Sequence, residues 1–243
     1  MEKSSASGGA MARAGMDAGE DIESLLKRLN LKKGEKKGVK IGGERIANLK
    51  EEVKWLALGR VHTRKTFSAG SLFETMHHAW GLAKEIKPRI LEENLFLFQA
   101  ACLGDWKRIM EEGPWLFRDQ GLVLGEYDGF SPVNSIPLNL LHVWIRIPKI
   151  PDLFKKEDVV RDLASKVGIV EKIELRPSIV ENYVRARVKL NVDEPLMRFV
   201  TLELEDHRDL VFQVLYEKLP RFCGVCGLMG HVASECGDGV HPP

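Results

Sequence analysis

The sequence predicts an α+β fold: a ferredoxin-like sandwich, a second small α/β unit, and a short Cys/His-rich C-terminal segment with no core of its own. Three observations carry this. Between residues 51 and 130, strand-like alternation and helical spacing succeed one another in the order β-α-β-β-α-β. A loop from Asp128 to Pro137, rich in turn formers (Gly129, Pro132, Pro137), then separates a further strand, helix and three or four strands reaching residue 219. Finally, three of the four cysteines fall within residues 223–236. The expected divisions are a disordered basic tail (1–50), the ferredoxin-like domain (51–130), the second unit (131–219) and the C-terminal segment (220–243).

The tail is set apart by charge. The whole chain of 243 residues has 36 Lys+Arg against 35 Asp+Glu, a formal net charge of +1. Residues 1–50 nevertheless hold eleven basic and seven acidic side chains, and Lys27–Lys50 alone holds nine basic residues against Glu35 and Glu44. Gly34, Gly38, Gly42 and Gly43 interrupt that stretch, so no stable helix is expected within it, although one short helix could precede it over Asp21–Leu31. Such a tail can neutralise phosphates, with Lys32, Lys33, Lys36 and Lys37 as candidates, act as a nuclear import signal, or serve only as a solvated linker.

In the first unit, Val53, Trp55, Ala57 and Gly59 alternate as a strand ending near Thr63. Ser68 or Ser71 can cap a helix through Trp80, with Leu72, Phe73, Met76, Ala79 and Trp80 at helical spacing. Glu85–Leu91 reads as a second strand, placed at an edge or bulge by Pro88. Asn94–Ala100 is a strongly apolar third strand, Gly104–Glu112 a short helix closed by Gly113-Pro114, and Leu116–Tyr127 a last strand bent at Gly121. This order is also that of RNA-recognition motifs. Their aromatic platform has a basic residue ahead of it, whereas Phe96 and Phe98 follow Glu92-Glu93 and are expected in the core.

The second unit opens with the alternating Leu141–Ile147, ended by Pro148 and Pro151. Lys155–Val167 fits a helix with Val159, Val160, Leu163 and Val167 inward. Strands are expected over Ile169–Leu175, Tyr183–Val192, Phe199–Leu204 and Val211–Tyr216, the last two forming a hairpin around residues 206–209. A sheet shared with the first unit is left open. Tyr183–Val192 puts Arg185, Arg187 and Lys189 on one face, a candidate for phosphate contact or an ordinary solvated sheet face.

Cys223, Cys226, His231 and Cys236 have the spacing Cys-x2-Cys-x4-His-x4-Cys. Three thiolates and one imidazole so separated can close a tetrahedral Zn²⁺ site within one tight loop, with Gly227 and Gly230 suited to the turns between ligands. With all four positions filled by protein, no water is left for activation, so the single ion is expected to be structural.

At these residues the chain resembles the zinc-knuckle family of retroviral and retrotransposon nucleocapsid proteins, matching Cys-x2-Cys-Gly-x2-Gly-His-x4-Cys at all six positions. More narrowly, residues 50–236 resemble a plant family in which a domain of unknown function (4283) precedes a knuckle. Its lead-in is similar to Tyr216-Glu217-Lys218-Leu219-Pro220-Arg221-Phe222-Cys223, and its "Val-Trp-Val-Arg-Ile" strand to Val143-Trp144-Ile145-Arg146-Ile147. Asn94–Phe98 and Gly113-Pro114-Trp115 also resemble family segments. The resemblance implies a retrotransposon-related, gag-like or first-open-reading-frame protein that binds nucleic acid. The match has departures. Gly224 stands where an aromatic usually follows the first Cys, and no Lys or Arg occurs from Phe222 to Cys236. Phe222 is the candidate for stacking in its place, worth roughly 1–3 kcal/mol per base where it occurs. Val225, Leu228, Met229 and Val232 offer instead an apolar surface for a protein partner or for docking on the second unit.

No Walker-type loop, His-Glu-x-x-His or Gly-x-Ser-x-Gly is present. His77-His78 read as partly exposed helix residues and Cys102 as core rather than nucleophile, so a non-enzyme is expected. No apolar run approaches the ~20 residues of a membrane span, and residues 1–20 lack the apolar segment of a secretory signal. The expectation is an intracellular protein, nuclear or cytoplasmic, that binds single-stranded RNA or DNA. Its alternative is a protein-interaction or self-assembly module capped by the knuckle, with no small-molecule substrate and no membrane in either case.

Overall fold

The computed structural model describes residues 22–176, 178, 180, 182–205 and 208–237. The expected hairpin turn at Asp206-His207 and the helix start at Asp21 lie outside the described residues. The chain divides into two compact units, Met1–Ala47 and Asn48–Pro243.

Helix α1 covers Ile22–Arg28. A hydrogen-bonded turn follows, in which Lys36 N donates to Lys32 O (3.2 Å) and Lys32 N to the Glu35 carboxylate (2.7 Å). Helix α2, Gly43–Glu52, corrects the expectation of no stable helix within 27–50. Gly42 and Gly43 stand at its start, where they interrupt nothing, and Glu44 in the first turn and Lys50 in the last complement the helix dipole. None of its side chains is buried.

After α2, the larger compact unit contains β1 (Leu56–Val61), α3 (Ala69–Trp80), β2 (Lys87–Glu92), β3 (Leu95–Gln99), α4 (Leu103–Glu111), β4 (Trp115–Phe117) and β5 (Gln120–Tyr127). These strands form one sheet of order β2-β3-β1-β5-β4, antiparallel throughout, with β1 in the middle. The long strand expected over Leu116–Tyr127 is a hairpin. Arg118 and Asp119 both take positive φ (50° and 64°), as a two-residue primed turn requires. The sequence hides this turn because neither residue is Gly or Asn.

Ser68 caps α3, its side chain accepting from Ser71 N, and Gly81 ends the helix at φ 52°. Leu72, Met76 and Trp80 of α3 and Ile109 of α4 pack onto Phe96, Phe98, Phe117 and Leu122. Phe96 and Phe98 are buried among Phe67, Phe73 and Trp80, so they are core. The sheet's other face is not open either. Leu56, Leu58 and Leu97 are covered by Val133, Ile136 and Leu138 of the connecting segment.

That segment leads to β6 (Leu140–Pro148), α5 (Glu157–Ser165), β7 (Ile169–Glu174), β8 (Tyr183–Asn191), β9 (Phe199–Leu202), β10 (Leu210–Gln213) and β11 (Leu215–Glu217). The second sheet has order β11-β6-β8-β7, and β9 and β10 pair separately, so no sheet is shared with the first five strands. β6 and β8 alternate strictly. Leu141, Val143, Ile145 and Ile147 face Val160, Leu163 and Ala164 of α5 in one core with Val184, Ala186, Val188 and Leu190. The residue run expected as one final strand splits at Val214, so that β10 pairs with β9 and β11 with β6.

Candidate metal centre

After β11 the chain turns back on itself. Phe222 forms an isolated bridge with Met229, Cys223 N donates to Leu228 O (2.8 Å), and Gly227 N donates to Cys223 O (2.9 Å). Gly227 (φ 82°) and Gly230 (φ 96°) occupy left-handed backbone that a side chain would strain. At Gly227 a Cβ would also press on Pro195 at 3.3 Å. This loop brings Cys223 and Cys226 to one end. A short 3₁₀ turn at Ala233–Glu235, fastened by Val232 N donating to the Glu235 carboxylate (3.1 Å), returns Cys236 to face them.

The three sulfurs and one imidazole nitrogen lie within 4.8 Å of one another. A tetrahedral Zn²⁺ with Zn–S of 2.3 Å needs sulfurs about 3.8 Å apart, so the donor set fits. His231 is buried (1% exposed), with Nε2 3.4 Å from Cys226 Sγ. Burial pushes the Cys223 thiol up, but the Cys226 and Val225 backbone N–H groups and the neighbouring thiols outweigh this and hold it down at about 6. Burial together with the adjacent Cys223 and Cys226 sulfurs pushes the Cys236 thiol up to about 11. Three thiolates this close repel one another, and a divalent cation removes that repulsion.

The loop is not a free appendage. Met229 is buried in the core of the second sheet, and Leu196 N donates to Gly227 O (3.0 Å). Arg198 donates to Gly224 O (3.1 Å), and Arg221 N to Asp119 O in the β4–β5 turn (2.7 Å). Lys65, after β1, pairs with Glu235 at 3.3 Å. Of the apolar surface expected for docking, Met229 does the docking while Val225 remains exposed. Phe222 is 40% exposed beside the ligands.

The other expected contacts are dispersed. Arg185, Arg187 and Lys189 do share the outer face of β8, but each has a carboxylate partner. Arg185 pairs with Glu217 (2.7 Å) and Glu174 (3.3 Å), and Arg187 (3.2 Å) and Lys189 (3.4 Å) pair with Glu171. Arg185 also lies over Trp144 at 3.8 Å, and Arg146 over Tyr183 at 4.7 Å. The phosphate-contact expectation for this row meets a face already neutralised in part. Lys32, Lys33, Lys36 and Lys37 are exposed around the turn after α1, in the first compact unit. His77 and His78 are exposed on α3, more fully than the partial exposure expected, and Cys102, expected in the core, is only partly buried at the start of α4.

Sequence reasoning missed a segment that the fold places beside the metal centre: Arg60, His62, Arg64 and Lys65. The period-2 spacing of Arg60, His62 and Arg64 was its only local signal.

Comparisons with known proteins match two separate segments of the chain. Residues 49–133 match the family described as a domain of unknown function (DUF4283), and residues 190–238 match the zinc knuckle family. An uncharacterized protein of Arabidopsis thaliana is 22% identical over 137 residues, covering 54% of this chain and 42% of the relative. The chain thus spans less than half of that relative's length. Among solved structures, the first two RRM domains of the yeast poly(U) binding protein match at 9% identity over 54% of this chain and 81% of that one. The TM-score is 0.22, too low to bear on fold or ligand. What the chain carries, in order, is a segment similar to DUF4283 and a segment similar to CCHC-type zinc knuckles.

Proposed function

We propose that the chain binds single-stranded nucleic acid, RNA or DNA, as a retrotransposon-related, gag-like protein of plant type. A single Zn²⁺ on Cys223, Cys226, His231 and Cys236 holds its knuckle. The observation that carries this reading is the convergence of those four donors within 4.8 Å, inside a segment matching zinc knuckles. The ion supplies a structural cross-link and no chemistry on a substrate. The β-α-β-β-α-β unit is, in this reading, a ferredoxin-like support whose two faces are both packed. The exposed lysines at 32, 33, 36 and 37 add phosphate contacts, Phe222 is the one aromatic at the knuckle surface, and the β8 cations contribute only by exchanging carboxylates for phosphates. The protein catalyses no reaction and acts inside the cell, in nucleus or cytoplasm.

A second reading, a protein-interaction or self-assembly module with the knuckle as structural cap, is favoured by the burial of Met229 and the absence of Lys or Arg from 222 to 236. Fluorescence anisotropy of zinc-loaded protein with a short single-stranded RNA at two salt concentrations separates the two. Affinity is expected to fall with salt, by a slope of about −0.7 per phosphate contact, and to be lost in Cys226→Ser. Loss only on replacing Lys32, Lys33, Lys36 and Lys37 by Gln leaves the knuckle a cap. Absence of binding at every salt where the protein stays soluble rejects the nucleic-acid reading.

A further inference from the structure

The knuckle loop has no Lys or Arg from Phe222 to Cys236, yet the fold sets it against a segment that has several. Between Arg60–Arg64 on one side and Asp193 with Leu228–His231 on the other lies a cavity of about 240 Å³. This is smaller than the roughly 300–1,000 Å³ of small-molecule and cofactor sites, and it suits one planar group better than a metabolite. Its walls divide by chemistry. Met229 and Val61 are apolar, while Arg60 and Arg64 bring permanent positive charge to the same cavity.

The first wall is held in place before any ligand arrives. Asn94 spends both polar atoms on the backbone of Val61, its Oδ1 accepting from Val61 N (3.0 Å) and its Nδ2 donating to Val61 O (2.8 Å). His62 N donates to Gly121 O (2.8 Å). The second wall depends on the metal centre, since His231 is a ligand and Gly230 its neighbour. Gly230 has no side chain to close the cavity, and a Cβ there would approach the His62 ring at 3.8 Å. The Lys65–Glu235 pair ties the two walls together.

We infer, resting on the nucleic-acid reading above, that this seam is where a single strand is gripped, with a backbone phosphate on Arg60 and Arg64 and one base in the cavity against Met229 and Gly230. The Asp193 carboxylate, which also faces the cavity, repels a phosphate from it and accepts from the exocyclic amino group of a base. His62 is partly buried between the two walls, and burial lowers its pKa while the Asp193 charge opposes that. Arginine suits this task because its planar fork meets two phosphate oxygens at once. The seam accounts for how a knuckle without Lys or Arg contributes to binding: neighbouring β-structure supplies the charge and the metal-held loop supplies the shape.

The test is anisotropy of full-length, zinc-loaded protein with short single-stranded RNA. It compares wild type, Arg60→Gln/Arg64→Gln, Arg60→Lys/Arg64→Lys, and Arg161→Gln/Lys166→Gln at α5 as a charge-matched control. The double Gln variant is expected to bind at least about ten-fold more weakly, with a salt slope shallower by about 1.4 and zinc content and melting temperature unchanged. The double Lys variant should keep the slope, and the control should match wild type. Photocrosslinking with thiouridine-bearing RNA gives a readout on the folded wild type, with adducts expected on peptides spanning residues 60–64 and 228–231. If wild type does not bind, the nucleic-acid reading itself fails. If it binds while the double Gln variant is unaffected, or crosslinks are confined to residues 27–50, the seam is refuted and the broader reading stands. If polyglutamate displaces the RNA at equal charge concentration, the seam is a site for acidic peptides and the assignment to nucleic acid is overturned.

Discussion

Glu217 accepts from Arg185 at 2.7 and 3.1 Å and from Arg146, joining three strands of the second sheet. Burial pushes its carboxyl up, but the two guanidinium groups outweigh that and hold it below its ordinary 4.5. A group depressed in the folded state stabilises it above the ordinary carboxylate range and loses that contribution as pH falls through the folded value. Melting temperature is therefore expected to drop as pH falls below about 4.5, with a shallower drop in Glu217→Gln. At neutral pH that variant should cost about 1 kcal/mol in denaturant titration, discounted for the pair's partial exposure. The row Arg185, Arg187 and Lys189 was legible because a strand's period of two is local. Its neutralisation was not, because Glu171, Glu174 and Glu217 arrive from other strands.

At the scale of elements, close approach decides which turns the chain accepts. A Cβ on Gly168, between α5 and β7, would meet the backbone oxygen of Lys189 closer than side chains approach in folded proteins. Backbone cannot swing aside, so Gly168→Ala is expected to cost about 2 kcal/mol or more, measured by denaturant titration. The knuckle is a second such element. A loop of residues 223–236 has few large apolar groups, so a metal on its four donors would be what orders it, while Met229 carries it into the core. Chelation should lower the melting temperature and zinc restore it. Met229→Ala should cost about 2–4 kcal/mol even in zinc-loaded protein, because the void it leaves lies in the second core. An equal melting temperature with and without chelator would show that the loop holds without metal.

Across the whole molecule, residues 48–243 form one compact unit in which the knuckle touches both sheets. Arg221 bonds the β4–β5 turn and Leu196 bonds Gly227, so neither sheet loses the knuckle alone. Zinc-loaded protein is accordingly expected to unfold in one transition, with tryptophan fluorescence and far-ultraviolet circular dichroism giving the same midpoint. Trp55, Trp80, Trp106 and Trp115 report on the first sheet and Trp144 on the second, so separate melting of the sheets would split the two probes.

The sequence by itself determined most of the succession of strands and helices, the burial of Phe96 and Phe98, and the four donors of the metal centre. All of these rest on spacing along the chain, where periods of two and 3.6 and a fourteen-residue ligand pattern are written directly. Tertiary structure alone decided what surrounds them. It folded Leu116–Tyr127 into a hairpin, covered the first sheet's free face with residues 133–138, paired the β8 cations, and brought Arg60 and Arg64 to a knuckle more than 150 residues away. The hairpin was hidden locally, because Arg118 and Asp119 are not the usual turn residues; the other three depend on which distant groups desolvate one another, and pattern within a short window carries no record of that.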